Sequence, residues 1–332
     1  MAVTNSDGVY RNLGANISQN MSIEDQLEAA GLNWRVRISR ARFGDCFQFV
    51  SRPQDKSALY RPDSGIIMDY VGTEWEPVQN RDLVEAINEF ALLGGGEIER
   101  LGFLDEGRVV FAGLKFRNIE VTKENRRVGD IVSQRLIVTN YHQQNKALKV
   151  TGFNTRLICT NGMTESVNLR GVKLTHRNLF ESEKVKLVLE AAIQGFDIYA
   201  QNAALLANIR IEKEQAIAAL LATFGKRGMN GLTLPLDEQP AKIHEAIALF
   251  QGVAMGAQLE TARNTAWGLL NAWTQLENHP TRLRTSVDNF MQDLWWGQRA
   301  NNQNKLMNSL VRAYTPAHQR QGNQPVAVGA GF

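Results

Sequence analysis

Residues Ile137–Met163, with the sequence IVTNYHQQNKALKVTGFNTRLICTNGM, lie within two extended runs that are joined by a polar turn. The first run, Arg135 to Thr139, is β-branched and apolar, which favours a strand, and that strand is predicted to extend from Ile131 to Thr139. The second run, Ala147 to Thr160, alternates apolar with polar side chains, and this period of two is typical of a half-buried strand. Phe153 falls out of step beside Gly152, so we expect a β-bulge there. The two runs predict a central β-hairpin.

Segments on the N-terminal side of this hairpin predict a mostly antiparallel, twisted sheet. Trp34 to Phe43 alternates apolar residues with arginines, and Asp45 to Val50 is its expected hairpin partner. One helix is predicted to begin after Ser22, which is a suitable N-cap, and another at Asn80. Further strands are predicted at residues 66–71, 98–103, 108–116 and 172–176. Strands with a packed helix in this arrangement belong to the α+β class.

At Asn178 the apolar spacing changes from that of strands to that of helices. The stripe continues to Phe224 with one internal glycine, and we expect one long helix, with Gly195 as the place of any break. Additional helices are predicted at residues 242–252, 258–277 and 286–313. The predicted organisation is therefore a flexible arm at residues 1–22, a sheet domain at 23–178, a helical domain at 179–315 and a disordered tail at 316–332.

The composition is ordinary for a soluble globular protein, with 43% hydrophobic and 21% charged residues in a chain of 332. No apolar run approaches the ~20 residues that a membrane helix needs, and the N-terminus lacks the pattern of a signal peptide. The only cysteines, Cys46 and Cys159, lie in apolar runs. We expect both to be buried free thiols, as in a cytoplasmic protein.

Charge is distributed unevenly along the chain although the net charge is only +3. Residues 31–61 contain seven basic and two acidic residues, residues 62–106 are strongly acidic, and residues 107–179 are again basic. Such separation predicts a basic face and an acidic face on the folded protein. The basic face is either the solvated side of ordinary strands or a groove for a phosphate backbone.

Short motifs around the central hairpin resemble those of a known family. Asn140-x-His142, Arg156-x-x-Cys159-x-Asn161-Gly162 and His176 are similar to motifs of the phage/plasmid-like protein family, of the YfjQ/YafZ type, found in prophages and plasmids. Scattered similarity extends from Trp34 to His279. The resemblance implies a bacterial host cell and a domain with no established activity. Asn140 and Asn161-Gly162 also fit ordinary turns, with a functional polar contact as the alternative reading.

Histidines near Cys159 raise two catalytic alternatives. A thiolate beside His142 or His176 could act as a nucleophile, and both histidines with a carboxylate could bind a metal ion. Against both alternatives, Cys159 alternates with apolar residues, and Gln143-Gln144 rather than acids follow His142. We therefore predict a buried structural cysteine and expect neither a catalytic centre nor a metal or other cofactor.

Basic and aromatic residues of the strands predict contacts with single-stranded nucleic acid. Bases stack on exposed rings while arginine and lysine side chains contact phosphates. Tyr141 lies in a polar turn and is the ring that we expect to be most exposed. The predicted contact residues are Arg35, Arg37, Arg42, Tyr141, Lys146, Lys149 and Arg156.

Two classes of function remain open at this point. The first is a nucleic-acid-binding protein, in its most specific form an oligomeric single-stranded DNA binding or annealing protein that mediates recombination. The alternative is a protein-interaction module that acts on a host factor, as an anti-defence or regulatory protein. An enzyme of unrecognised type ranks third. Salt-dependent binding of an oligonucleotide would separate the first class from the others.

Overall fold

The computed structural model describes residues 13–40, 43–44, 49–50, 56–72, 75–144, 146, 148–158, 161–166 and 182–315. Antiparallel sheets form the N-terminal part and helices form the C-terminal part, which confirms the predicted α+β class. The predicted residues Arg42, Cys46, Cys159 and His176 lie outside the described residues, as does the predicted strand at 172–176.

The strands of the described residues are assembled into one large and two small antiparallel sheets. Their bounds are β1 Ala15–Asn16, β2 Arg37–Arg40, β3 Phe43–Gly44, β4 Phe49–Val50, β5 Lys56–Tyr60, β6 Ile67–Gly72, β7 Glu97–Leu104, β8 Val109–Lys123, β9 Arg126–Tyr141, β10 Lys149–Arg156 and β11 Asn161–Ser166. The large sheet has the order β1-β7-β8-β9-β10-β11, and a smaller one has the order β2-β5-β6. Residues 13–22 were predicted as part of a flexible arm, but β1 pairs with β7 there and Leu13 and Ile17 are buried.

The central hairpin differs from its prediction in one respect. β10 pairs with β9 in the same antiparallel register before and after Phe153 and Asn154, from Lys149 opposite Thr139 to Arg156 opposite Val132. No residue is inserted, so the predicted bulge at Gly152 is wrong. Every residue of β10 after Lys149 is buried, because apolar clusters cover both sides of this strand, with Val150 in one and Phe153 in the other. A strand that is buried on both faces does not show a clean alternation of apolar and polar residues, which explains why Phe153 falls out of step.

Two apolar cores lie on opposite faces of the large sheet. Helix α1 (Ile23–Ala29) and helix α2 (Asn80–Leu93) contribute to a core with Val110, Leu136 and Val138. On the other face, Phe111, Ile137 and Phe153 pack with α7 (Val287–Trp296). The alternation of side chains along β8 and β9 assigns neighbouring residues to the two cores.

The remaining helices form a third core at the end of the large sheet. They are α3 (Ser182–Asn208), α4 (Lys213–Phe224), α5 (Ala241–Ala248), α6 (Ala266–Asn278) and α8 (Gln298–Tyr314). Val132 and Met163 from the strands pack there with Trp267 and Leu306 from the helices. The helical part therefore shares a core with the sheet. No helix of the described residues is long and apolar enough to span a membrane.

Three helix boundaries differ from the predictions. The long helix predicted to reach Phe224 is interrupted after Asn208 and not at Gly195. Ile211 donates its backbone N–H to the Asn264 carbonyl, and the Gln215 side chain accepts from the Glu212 N–H at the start of α4. Helix α6 begins at Ala266, where Thr265 is the N-cap, instead of near residue 258. The predicted last helix is divided at Gly297 into α7 and α8.

Candidate functional site

The three-stranded sheet β2-β5-β6 has one buried face and one outward face. Leu59 and Val71 are fully buried on its inner side. Lys56, Ala58 and Tyr60 alternate with the buried residues of β5 and point outward. Pairing places Arg37 opposite Tyr60 and Ser39 opposite Ala58. The arginine-bearing part of the predicted strand therefore pairs with β5 and not with Asp45–Val50. Of the predicted hairpin, the described residues retain the pairing of Phe43–Gly44 with Phe49–Val50.

The third strand extends the outward face with two exposed apolar or aromatic side chains. Tyr60 pairs with Ile67 and Ala58 pairs with Tyr70. The exposed fractions of Ile67 and Tyr70 are 45% and 38%. One row across the sheet is thus Arg37, Tyr60 and Ile67, and the next is Ser39, Ala58 and Tyr70. Directly opposite side chains lie close together in an antiparallel pair, so the cation and the two rings form one surface.

The polypeptide before β2 is held so that its arginines face solvent. Arg35 and Arg37 are exposed and alternate with buried Trp34 and Val36, as the sequence predicts. The Gln79 side chain accepts a hydrogen bond from the Val36 N–H and donates one to the Val36 carbonyl, at 3.0 and 3.1 Å. The Gln79 amide thus makes the two hydrogen bonds that a neighbouring strand would make, and it keeps Arg35 and Arg37 facing solvent.

We call the set Arg37, Ser39, Lys56, Ala58, Tyr60, Ile67 and Tyr70 the outward face. It combines two tyrosines with two cations, and none of these seven residues is acidic. Sequence reasoning identified Arg37 but missed Lys56 and Tyr70. The alternation along β5 and β6 could have identified both residues, because Lys56 and Tyr70 alternate with residues that face the core. Their position beside Arg37 depends on the strand order, which the alternation does not give.

A second group of predicted residues is brought together at the ends of β9 and β10. The Lys146 and Lys149 Nζ atoms lie 5.2 and 5.4 Å from the centroid of the Tyr141 ring, and Lys149 Nζ lies 5.4 Å from the Trp296 ring. Tyr141 is only 3% exposed, so the expectation of an exposed stacking ring is wrong. It is buried because it ends β9 on the face that α7 covers.

The electrostatics of this group follow from its partial burial. Desolvation raises the pKa of the Tyr141 phenol above its ordinary value, since the ionised form is poorly solvated. Desolvation and then the positive charge of Lys146 lower the pKa of Lys149. No ion pair to Lys149 occurs within the described residues. The two lysines therefore present positive charge beside two aromatic rings.

Arg156 lies in the interior, so its predicted place on a solvent-exposed basic surface is wrong. Its guanidinium donates hydrogen bonds to both carboxylate oxygens of Asp130, at 2.6 and 2.9 Å. The Asp130 carboxylate also accepts hydrogen bonds from Thr261 Oγ1 and Trp267 Nε1. The side chains of Arg156 and Asp130 are 2% and 0% exposed. Because Thr261 and Trp267 belong to the helical part, this cluster links the sheet to it.

The motif residues around His142 form a second buried polar group. His142 Nε2 lies 3.1 Å from Asn80 Oδ1, and the Asn80 amide donates to the carbonyls of Leu32 and Trp34. Both His142 and Asn140 are fully buried on β9 or directly after it. Asn80 thereby ties the start of α2 to the segment before β2. Within the described residues there is no cluster of three histidine, cysteine or acidic side chains that could hold a metal ion.

Close packing, and not a turn, explains why residue 162 is a glycine. It lies within β11 and pairs with Thr155. The Asn278 side chain accepts from the Gly162 N–H and donates to its carbonyl, at 3.1 and 2.8 Å. A Cβ atom at this position would lie 2.1 Å from the Phe153 ring. The site requires glycine because the ring covers it. The side chain of Asn161 lies outside the described residues.

Comparison with known proteins adds one match. A family model described as a domain of unknown function, DUF932, matches residues 67–310. No curated protein and no solved structure matches the chain. The matched range includes the buried groups around His142, Asp130 and Gly162. It includes β6 of the outward face but neither β2 nor β5.

Proposed function

The chain belongs to the DUF932 family, and we propose that this member binds single-stranded nucleic acid on the outward face of the sheet β2-β5-β6. The observation that carries the proposal is the pair of tyrosines, Tyr60 and Tyr70, on the solvent side of a sheet that also presents Arg37 and Lys56.

Stacking provides the sequence-independent part of the binding. Every base has a π-face, and stacking on an aromatic side chain contributes about 1–3 kcal/mol per base. Tyr60 and Tyr70 lie in neighbouring strands and in adjacent rows of the sheet. Neighbouring strands are about 5 Å apart, so the two tyrosines are diagonal neighbours. Successive unpaired bases can occupy two such rings. A duplex keeps its bases stacked on each other, so this surface favours single strands.

Cations at the margin of the rings provide the electrostatic part. Arg37 is directly opposite Tyr60, and Lys56 is at the other end of β5. Arg35, two residues before Arg37, adds another exposed positive charge. Each phosphate that one of these side chains neutralises releases counterions. The affinity for a single strand should then fall with salt at a log–log slope of about −0.7 per contact.

Equilibrium binding of a fluorescent oligothymidylate at several salt concentrations tests the proposal. The Arg35→Ala/Arg37→Ala variant should bind more weakly and with a shallower salt slope. The Tyr60→Ala/Tyr70→Ala variant should lose affinity with little change in the slope, since stacking releases no counterions. Arg312→Ala, at an exposed position of α8, is the matched control and should bind like the wild type. Absence of binding at low salt would contradict the proposal and favour a protein partner.

We place this activity in the cytoplasm of a bacterial host, with phage or plasmid DNA as substrate and recombination as context. The support is the similarity of the motifs around residues 140 and 156 to phage/plasmid-like proteins. Annealing of complementary strands by an oligomer is the specific form of the proposal. A fluorescence-quenching assay with two complementary oligonucleotides tests it, and mass photometry gives the oligomeric state with and without DNA.

A further inference from the structure

We infer that a nucleic-acid strand crosses the outward face along one diagonal, from Gly72 through Ala58 to Arg37. The inference rests on the proposed function, and it adds the path of the nucleic acid and two small residues that determine specificity. Gly72 and Ala58 carry no side-chain atom beyond Cβ. The backbone of the sheet is therefore least covered along this line, and a flat base can approach it there.

The register of β5 and β6 defines the first half of the diagonal. Lys56 is opposite Gly72, and Ala58 is opposite Tyr70. Gly72 and Ala58 are therefore diagonal neighbours on one face, with their Cα atoms about 7–8 Å apart. The register shift between β5 and β6 lies beyond these two pairs, so it does not disturb them.

The register of β2 and β5 defines the second half. Ala58 is opposite Ser39, and Arg37 is opposite Tyr60. Arg37 is thus the diagonal neighbour of Ala58 on the other side, again at about 7–8 Å between Cα atoms. The line from Gly72 through Ala58 continues to Arg37 and crosses all three strands of the sheet.

The two sides of the diagonal differ in chemistry. Tyr60 and Tyr70 lie on one side, whereas Ser39 and Lys56 lie on the other. Bases stack on aromatic rings, and cationic side chains contact the phosphates. A nucleic-acid strand that follows the diagonal can therefore direct its bases towards the two tyrosines. Its phosphates then face Lys56 and the end of the line at Arg37.

Gly72 lacks the two common structural reasons for a glycine. Its φ does not lie in the left-handed region, so the backbone conformation does not require glycine. A Cβ atom at this position would have no heavy atom within 4 Å, in contrast to the one at Gly162. Glycine weakens a strand and often marks a place where a ligand approaches closely. The open space at residue 72 therefore supports the path.

Valine variants test the path, because they add a side chain on the diagonal and remove no contact. Ala58→Val and Gly72→Val should each weaken the binding of a fluorescent oligothymidylate about tenfold, the loss expected for one stacked base. The salt slope should stay that of the wild type, since no cation is removed. The melting temperature should not fall, because valine favours strands and residue 72 has open space.

Two further variants are matched controls. Asn118→Val places a valine at an exposed position of β8, in the large sheet, and should bind like the wild type. Ile67→Ala shortens an exposed side chain of the outward face itself. Ile67 lies beyond the two tyrosines and away from the diagonal, so this change should alter the affinity by less than about twofold.

The outcomes separate this inference from the proposed function. If the wild type binds and both valine variants bind equally well, the diagonal path is refuted while the proposed function stands. A loss for Ile67→Ala as large as that for the valine variants also refutes the path, because the nucleic acid would then cover the whole face. Absence of binding by the wild type contradicts the proposed function, and the path with it.

Discussion

The Asp130 cluster allows one prediction to be worked out from its atoms. In the variant Asp130→Asn the shape of the side chain is kept and its negative charge is removed. Asp130 Oδ1 accepts from Arg156 Nε, while Oδ2 accepts from Arg156 Nη2, Thr261 Oγ1 and Trp267 Nε1. Every neighbour that contacts the carboxylate is thus a donor. An asparagine in either orientation directs its NH₂ group against at least one of them.

The expected cost follows from the burial of the pair. The side chains of Asp130 and Arg156 are 0% and 2% exposed, so water cannot replace the lost anion. Removal of one partner of a buried ion pair costs about 3–5 kcal/mol, because the other charge stays in the interior without compensation. The free energy of unfolding of Asp130→Asn should therefore be lower by about this amount.

Urea denaturation, followed by tryptophan fluorescence and by circular dichroism, measures the change. Glu260→Gln is the control, because it removes an ion pair with Arg126 that also joins the sheet to the helical part but is 58–62% exposed. That variant should lose less than about 1 kcal/mol. Arg156→Gln in the Asp130→Asn background should not add its full cost, since the uncompensated charge is then gone.

Two results would refute this reasoning. One is a loss for Asp130→Asn as small as that of Glu260→Gln. The other is strict additivity of the Asp130→Asn and Arg156→Gln changes, which would mean that the two side chains are not coupled.

Three further predictions concern single side chains. Gly162→Ala should lower the free energy of unfolding by about 1–3 kcal/mol through its clash with the Phe153 ring, and a wild-type melting curve would contradict this. Asn80→Ala should cost about 1–3 kcal/mol because it leaves His142 Nε2 and two buried carbonyls without their amide, as denaturation of the variant would measure. Tyr141 has a raised pKa in the folded state, so the unfolded chain loses this proton first and stability falls as the pH rises above 10.0. Tyr141→Phe should reduce that alkaline loss of stability, and equal pH profiles for both proteins would exclude the mechanism.

Local alternation was sufficient to predict part of the fold. Trp34 and Val36 are buried while Arg35 and Arg37 are exposed, as a period of two requires. The change to helical spacing correctly predicts a helical C-terminal region, whose first described helix begins at Ser182, while the predicted boundary at residue 178 lies outside the described residues. The capping signal at Ser22 marks the start of α1, where its side chain accepts from the Asp25 N–H. These features depend on residues that are near each other in the sequence.

The sequence pattern did not predict the buried position of Arg156, because both faces of its strand are buried. Its alternation with Leu157 predicts an outward side chain, but β10 is buried on both sides by apolar clusters. In the sequence, Arg156 is 26 residues from its partner Asp130, and Asp130 is 137 residues from Trp267. Nothing in the spacing of these residues identifies the cluster, although Arg156 belongs to a motif that resembles the phage/plasmid-like family.

The sequence by itself determined which residues of each strand share a side, because side-chain alternation is a property of the extended backbone. Only the tertiary structure decided that β2 pairs with β5 and that Tyr70 lies in the row beside Arg37 and Tyr60. It also decided that Tyr141 is covered by α7, although a polar turn follows it. Strand order and helix packing are set by the burial of apolar faces across the whole chain, and a local pattern does not contain that information.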